Sequence, residues 1–436
     1  MKGGRTIMPD TIGVDANRYP LYRWVILACV SLSICACSMA MTGIAPILET
    51  IAEDLGVPVG TAANLMLAYV LAISLFFPLA GMICDRYGLT AALVSGLLCS
   101  CIPAVIMPCL ATYRLNTFIC LRFIQGASVA LVLANLAFVL AHWFPNKERG
   151  VASALMSGAM PIGSSIGVLT TPYLLDLTGS WQRSISMVSI LGWISIVLAF
   201  LFTRSPVPSA VFATLHQRST TQKEMSFVKA MTLPQTWVGV CIMFCNAWCL
   251  FCLYNIIPSF LSTSMPVGAG MSPTLAGKLS LFVTLSGFFA MAAGGILIDR
   301  VAKGKYHLAM WIGFFMTAIA NFSILIPEFQ KDQFLLALAL FVAGCGMPLM
   351  SASISYYLVS HYPAAIVGRM MGVWYGVGTL GGAMGIYLAG ISIIKNGNFH
   401  WAILQISIAA IMGLLFSWLL PVIDTAGRKL DYATSV

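Results

Sequence analysis

One arginine stands inside an otherwise uncharged stretch of the chain, and its chemistry limits what it can do. Arg122 is the single charged residue between Asn116 and Ala141. A guanidinium keeps its charge at any ordinary pH, and its planar fork of donors suits a carboxylate. An ionised side chain inside a membrane span is costly unless it faces a cavity or a partner. We therefore predict that Arg122 binds the negative charge of a ligand. The alternative is a structural role, in which it binds backbone carbonyls or Gln125.

A second cation, Lys278, lies a few residues into another apolar run, from Leu275 to Ile298. It either faces a ligand or extends its ammonium to the membrane surface. No Asp or Glu lies well inside any apolar run, and Glu49 stands at the end of the first. Cations without acids predict a binding site for an anion.

Polar and aromatic side chains on the other apolar runs supply candidate walls and hydrogen bonds for this site. The sequence does not decide which of them face inward. The candidates are Tyr69, Asn135, Trp248, Asn255, Tyr357 and Trp374, together with Tyr254, Ser353 and Tyr375.

Spacings typical of catalytic or metal sites are not evident. The five His lie at the ends of apolar runs or in loops, without a His-x-x-Glu-His pattern. Cys241, Cys245, Cys249 and Cys252 would line one helix face, an arrangement that soft metals accept. Cysteines inside apolar runs usually behave as small hydrophobic residues. We therefore expect no enzymatic activity, no bound metal and no cofactor.

Membrane helices are needed to position these residues. The chain is 59% hydrophobic and 8% charged, with a mean hydropathy of +0.92, whereas soluble proteins are about a quarter charged. Roughly 20 apolar residues cross the hydrocarbon of a bilayer. Twelve spans are predicted, near residues 24–48, 61–84, 89–111, 116–141, 150–175, 185–203, 236–261, 275–298, 306–327, 333–359, 369–393 and 400–421.

The longest polar gap, residues 204–235, predicts a linker between two six-helix halves, residues 1–203 and 236–436. Most of the 23 Lys and Arg fall on the side that holds this linker and both termini. That side is predicted to be cytoplasmic, because cytoplasmic loops carry an excess of cations. The net charge of +9 therefore reflects membrane topology and does not indicate nucleic acid. We expect a monomeric multi-pass protein of the cell membrane, a bacterial inner membrane, in contact with lipid.

A short charged turn follows the second span of each half. Gly81, Asp85 and Arg86 recur about half a chain later as Gly295, Asp299 and Arg300. This repeated Gly-x-x-x-Asp-Arg turn resembles the loop signature of the major facilitator superfamily. The resemblance implies an all-α membrane fold of twelve helices in two pseudo-symmetric halves. It also implies that these residues, with Gly88, latch one conformation during transport. The alternative is a turn that only sets topology.

Two further motifs extend the resemblance. The sequence from Leu121 to Gly126 resembles the fourth-helix Arg-x-x-Gln-Gly motif of the same superfamily. The fifth span is similar to its glycine-rich interface helices, which slide during transport. In that span Gly163 and Gly167 are four residues apart, a spacing that lets helices approach closely. Gly158 of the same span matches Gly378 of the eleventh span, 220 residues later. Close packing alone is the alternative to a gating role for these three glycines.

The resemblance implies a secondary transporter that works by alternating access. Cations without intramembrane acids favour a small organic anion, a carboxylate, moved by exchange or together with a proton. Val129 stands where organic-anion symporters of the superfamily often have Glu, and the eleventh span has no cation after Arg369, which disfavours a dicarboxylate. The alternatives are efflux of amphipathic drugs and a non-transporting receptor or scaffold on the same fold.

Overall fold

A computed structural model describes residues 21–110, 114–144, 148–204, 226–296, 306–362 and 364–420. Within these ranges the regular structure is helical, and twelve helices are long and apolar enough to cross a membrane. The predicted all-α class with twelve spans is thereby confirmed.

The spans are numbered 1 to 12 in chain order, and several contain a break. Span 1 consists of Arg23–Thr42, a 3-10 turn Ala45–Ile47 and Leu48–Asp54. Spans 2 and 3 comprise Val59–Ala62 and the long helix Asn64–Ile106, which breaks at Gly88. Gly88 has φ +82°, a backbone conformation that favours glycine. The remaining spans are Leu115–Leu133 with Asn135–Trp143, Arg149–Thr178, Trp181–Val188 with Ile190–Phe202, Pro234–Ser262, Pro273–Ile296, Tyr306–Ile324, Gln333–His361, Ala364–Asn396 and His400–Trp418.

Polar contacts between distant residues identify the two ends of the helix bundle. We call the end where span 1 begins and span 12 ends the terminal end. There the Tyr22 hydroxyl donates to the carbonyl of Phe202 at 2.6 Å, and Arg23 forms an ion pair with Glu148 at 2.9 Å. The opposite end is called the loop end, where the Trp181 indole donates to Asp54 at 2.7 Å.

The two six-helix groups, spans 1–6 and 7–12, contact each other along two flanks. Span 2 runs beside span 11, and span 5 runs beside span 8. Span 1 meets span 7 through its second part, after residue 45, near the loop end. Among the described residues, span 4, span 10 and the first part of span 1 make no extensive contact with the opposite group. The contact between spans 1 and 7 holds the two groups together at the loop end.

The predicted division at residues 204–235 stays a prediction. Residues 205–225 lie outside the described ranges. A short helix, Phe227–Met231, precedes span 7, which begins at Pro234.

Candidate functional site

Arg122 lies at the centre of the first six-helix group, where spans 1, 2 and 4 meet. Its side chain is 1% exposed. Gly126 follows one turn later, and a Cβ atom there would lie 2.0 Å from the backbone oxygen of Tyr69. Spans 4 and 2 are therefore as close as two helices can come, and this contact fixes the position of Arg122.

Four hydrogen bonds hold the Arg122 guanidinium in place. Nη1 donates to the carbonyl of Ala40 and to Oε1 of Gln125, both at 3.0 Å. Nη2 donates to the carbonyl of Met41 at 3.3 Å, and Nε to the carbonyl of Leu65 at 3.4 Å. Every acceptor is neutral. This arrangement corresponds to the structural alternative given above, and the ligand-binding role remains a prediction.

The charge of Arg122 has no counter-ion in the part of the chain that the structure describes. The ion pair found there joins Arg23 to Glu148 at the terminal end. The guanidinium carbon of Arg122 lies 4.3 Å from the centre of the Tyr69 ring, and the Tyr69 hydroxyl donates to the Cys37 carbonyl at 3.0 Å. Dipoles and an aromatic face thus hold a full positive charge in a region of low dielectric. Such a charge attracts an anion strongly.

The carbonyls that bind Arg122 belong to a break in span 1. Ala40 and Met41 lie in the last turn of Arg23–Thr42, where helical carbonyls lack amide partners and favour a cation. Pro46 follows inside the break and has no N–H to continue the helix. In carriers, discontinuous helices of this kind border the substrate site.

The other predicted ligand residues form two separate groups. Tyr69 lies with Arg122. In the second six-helix group Tyr357 and Trp374 are buried and stacked, with ring centres 5.8 Å apart. Asn135 and Asn255 are buried, and each donates to a carbonyl of its own span, Leu131 at 2.6 Å and Phe251 at 2.8 Å.

Among the predicted ligand residues, two buried indole N–H groups are donors that a ligand could use. Within the described ranges, Nε1 of Trp248 and Nε1 of Trp374 have no hydrogen-bond partner. A buried donor without a partner costs free energy. An acceptor brought in by a ligand would remove that cost.

Lys278 is not brought together with Arg122. Its side chain is exposed, and it lies on the same face of span 8 as the exposed Phe282, Leu285 and Phe289. Exposed large apolar residues at this spacing form the face that meets lipid. Lys278 therefore extends from the bilayer-facing side of span 8, close to the loop end.

The glycines of span 5 lie where other helices approach it. A Cβ atom on Gly163 would be 2.2 Å from the carbonyl oxygen of Cys35, and one on Gly167 would be 2.5 Å from that of Met39, both in span 1. Gly158 instead faces the ring of Phe288 in span 8. Their predicted gating role remains a prediction.

The charged turns can be described only in part. Arg86 is exposed, with its guanidinium carbon 5.4 Å from the centre of the Tyr87 ring. The surroundings of the remaining turn residues fall outside what the structure describes; these are Gly81, Asp85, Gly295, Asp299 and Arg300.

Sequence reasoning missed two serines of span 7 and its following loop. Ser259 and Ser264 bond to Ala45 and Glu49 of span 1, which are 214 and 215 residues away. This separation is close to that of the two charged turns. These contacts therefore join nearly equivalent positions of the two halves, although the repeat alone does not show that such positions touch.

Twelve membrane-spanning helices and a buried cation without a counter-ion define a membrane carrier. The sequence profile of the Major Facilitator Superfamily matches residues 30–306 and 269–433. The chain belongs to this superfamily. It is a multi-pass membrane transporter and not an enzyme.

Named relatives share about a quarter of their residues with the chain. Probable anion transporter 6 of Oryza sativa subsp. japonica is 24% identical over 70% of this chain and 72% of its own length. A probable small intestine urate exporter of Mus musculus is 24% identical over 77% and 71%. A probable galactarate/D-glucarate transporter of Bacillus subtilis is 23% identical over 68% of both chains.

The solved structure of the xylose transporter XylE from E. coli has the same fold. It was determined in a partially occluded inward-open conformation, and its TM-score to this chain is 0.73. The similarity covers 94% of this chain and 100% of that one at 14% sequence identity.

Proposed function

We propose that this transporter moves a small organic anion, a carboxylate, by alternating access. The observation that carries the proposal is the position of Arg122, a permanent cation that is 1% exposed and bonded only to neutral acceptors. The anion would exchange with these acceptors.

Exchange of this kind is chemically favourable at Arg122. A carboxylate can accept two parallel N–H bonds from a guanidinium, and such charge-assisted bonds are about twice as strong as neutral ones. No ion pair has to break first, because the described neighbours of Arg122 include no carboxylate. The released Gln125 side chain remains bonded through Nε2 to the Ser100 carbonyl at 3.1 Å.

The proposed site joins residues from both six-helix groups. Arg122 and Tyr69 supply the charge and an aromatic wall, and the indole of Trp248 supplies a donor. Trp374, which packs against Gly239 near the start of span 7, and Asn135, Asn255 and Tyr357 are further candidates for contact with the anion along its path. Lys278 is left out because it lies on the bilayer-facing side of span 8.

The names of the relatives support an anionic substrate, since they include an anion transporter, a urate exporter and a galactarate/D-glucarate transporter. For the coupling we propose exchange with a second anion or co-transport with a proton. The proposed setting is a cell membrane, a bacterial inner membrane, with both termini cytoplasmic and the protein monomeric.

The test is uptake by the purified protein in liposomes. Radiolabelled lactate, D-glucarate, urate and phosphate are offered separately, with and without unlabelled anion inside and with and without a pH step. Lactate or D-glucarate should accumulate, and Arg122→Gln should strongly reduce that accumulation at concentrations below the parental KM. Arg114→Gln is the matched control, because it removes an exposed cation that precedes the same helix. Uptake of cationic amphipaths in place of anions would overturn the proposal.

A further inference from the structure

At the loop end, span 1 is bonded directly to the end of span 7. The Ser259 hydroxyl donates to the carbonyl of Ala45 at 2.9 Å. The backbone N–H of Ser264 donates to both carboxylate oxygens of Glu49, each at 3.0 Å, and its hydroxyl donates to Oε1. These bonds join the two six-helix groups across the space between them.

We call this junction between spans 1 and 7 the seam. The two groups are also in close contact beside it. A Cβ atom on Gly60 of span 2 would lie 2.5 Å from the carbonyl oxygen of Gly390 in span 11. Such close packing leaves no passage along that flank. A substrate can pass the loop end only when the two groups separate there.

Glu49 supplies the charged part of the seam. It lines a cleft of about 300 Å³ with Pro46 and Thr50 of span 1 and with six residues of the other group, which lie between positions 262 and 273. Among the residues lining that cleft, Glu49 is the ionisable one. Bonds to a carboxylate are stronger than bonds between neutral groups. The Glu49–Ser264 bonds are therefore the strongest polar link across the cleft.

The break in span 1 connects this seam to Arg122. Arg122 binds the carbonyls of Ala40 and Met41 just before the break, whereas Ala45 and Glu49, just after it, bind the other group. The short segment between these contacts is thus restrained at both ends. If an anion takes the donors of Arg122, as the proposed function requires, the restraint on one end is lost.

We propose that Glu49 and Ser264 form the latch of a gate that closes the loop end of the substrate path, and that the broken segment of span 1 links this gate to Arg122. With the latch intact the loop end stays shut, as it is in this structure. Loss of the bonds to Glu49, or release of the segment by Arg122, shifts the carrier towards a conformation open at the loop end.

The test measures access to Ser262, which lines the cleft and is buried when the gate is closed. Ser262→Cys is introduced into the full-length protein, and its reaction with a bulky maleimide is timed in detergent without any transported anion. The parent protein gives the background from its native cysteines, among them the exposed Cys109 and Cys120. A second set of variants adds Glu49→Ala or Glu49→Gln to Ser262→Cys.

Glu49→Ala should raise the labelling rate about 10-fold, because the bonds to Ser264 are lost. This value is at the lower end of the range for charge-assisted bonds, since the cleft is partly open to water. Glu49→Gln should raise it less, since the amide oxygen still accepts the Ser264 N–H. The matched control is Glu53→Gln, which removes an exposed carboxylate from the same helix. It should leave the rate unchanged.

A Glu49→Ala rate equal to that of the Glu53→Gln control would refute the gate. Arg122→Gln should also raise the rate, because it frees the carbonyls of Ala40 and Met41. An unchanged rate in a folded Arg122→Gln protein would refute the link to Arg122. Since no anion is present, these outcomes are independent of whether the carrier moves a carboxylate.

Discussion

Replacing Arg122 by Gln tests the proposed anion site at its charged centre. The substituted glutamine can still form hydrogen bonds, but it carries no charge. Arg122→Lys keeps the charge but loses the planar guanidinium, which can donate two parallel N–H bonds to a carboxylate. We expect both variants to impair transport, and the glutamine variant to do so more severely.

The size of the effect follows from the surroundings of Arg122. An anion about 4 Å from a cation gains about 4 kcal/mol at an effective dielectric constant of about 20. Part of this gain offsets the loss of bonds to the Ala40, Met41 and Leu65 carbonyls, each worth about 1 kcal/mol or less when it is long. The remainder is about 1–3 kcal/mol. Arg122→Gln should therefore raise KM by about 5- to 150-fold.

The assay is the concentration dependence of anion uptake in liposomes, with the rate expressed per folded protein. Folding is checked by thermal unfolding of each variant, because Arg122→Gln leaves buried carbonyls without their donor and costs about 1–3 kcal/mol of stability. Arg114→Gln should keep KM within about twofold of the parent, since Arg114 is exposed.

A purely structural Arg122 predicts a different pattern. The melting temperature of Arg122→Gln would fall, but the KM of the folded fraction would match that of the parent. That result would refute the reasoning, and uptake at the parental rate would do so as well.

Two further predictions concern helix packing and the charged turns. Gly126→Ala should destabilise the protein by about 1–3 kcal/mol in thermal unfolding, because its Cβ would lie 2.0 Å from a backbone oxygen of span 2; Gly372→Ala, with no neighbour within 4 Å, should be tolerated. Asp85→Asn should slow uptake more than Asp299→Asn, because two lysines shortly after Asp299 offer further cations. Uptake at the parental rate in both variants would reduce the turns to topology signals.

The fold was largely predictable from the sequence, because bilayer thickness fixes the length of an apolar run that must cross it. Charged residues between the runs marked where the spans end. Arg122 could be identified for the same reason, since an ionised residue inside an apolar run requires a partner.

Contacts between distant residues could not be predicted in this way. The break after Thr42 depends on Pro46 and on the carbonyls that bind Arg122, which come together only in the folded bundle. The face on which Lys278 lies depends on the rotation of span 8, and an apolar run alone does not fix that rotation. The partner of Glu49 is 215 residues away.

Discrimination by charge tests the central claim most directly. Liposomes holding the purified protein are offered radiolabelled D-glucarate and lactate beside the uncharged polyol D-glucitol at equal concentrations. If Arg122 receives a carboxylate, at least one of the two anions accumulates, and D-glucitol stays at the level of protein-free liposomes. Accumulation of D-glucitol at the rate of the anions, or anion uptake that persists unchanged in Arg122→Gln, would contradict the claim that this carrier selects its substrate by negative charge.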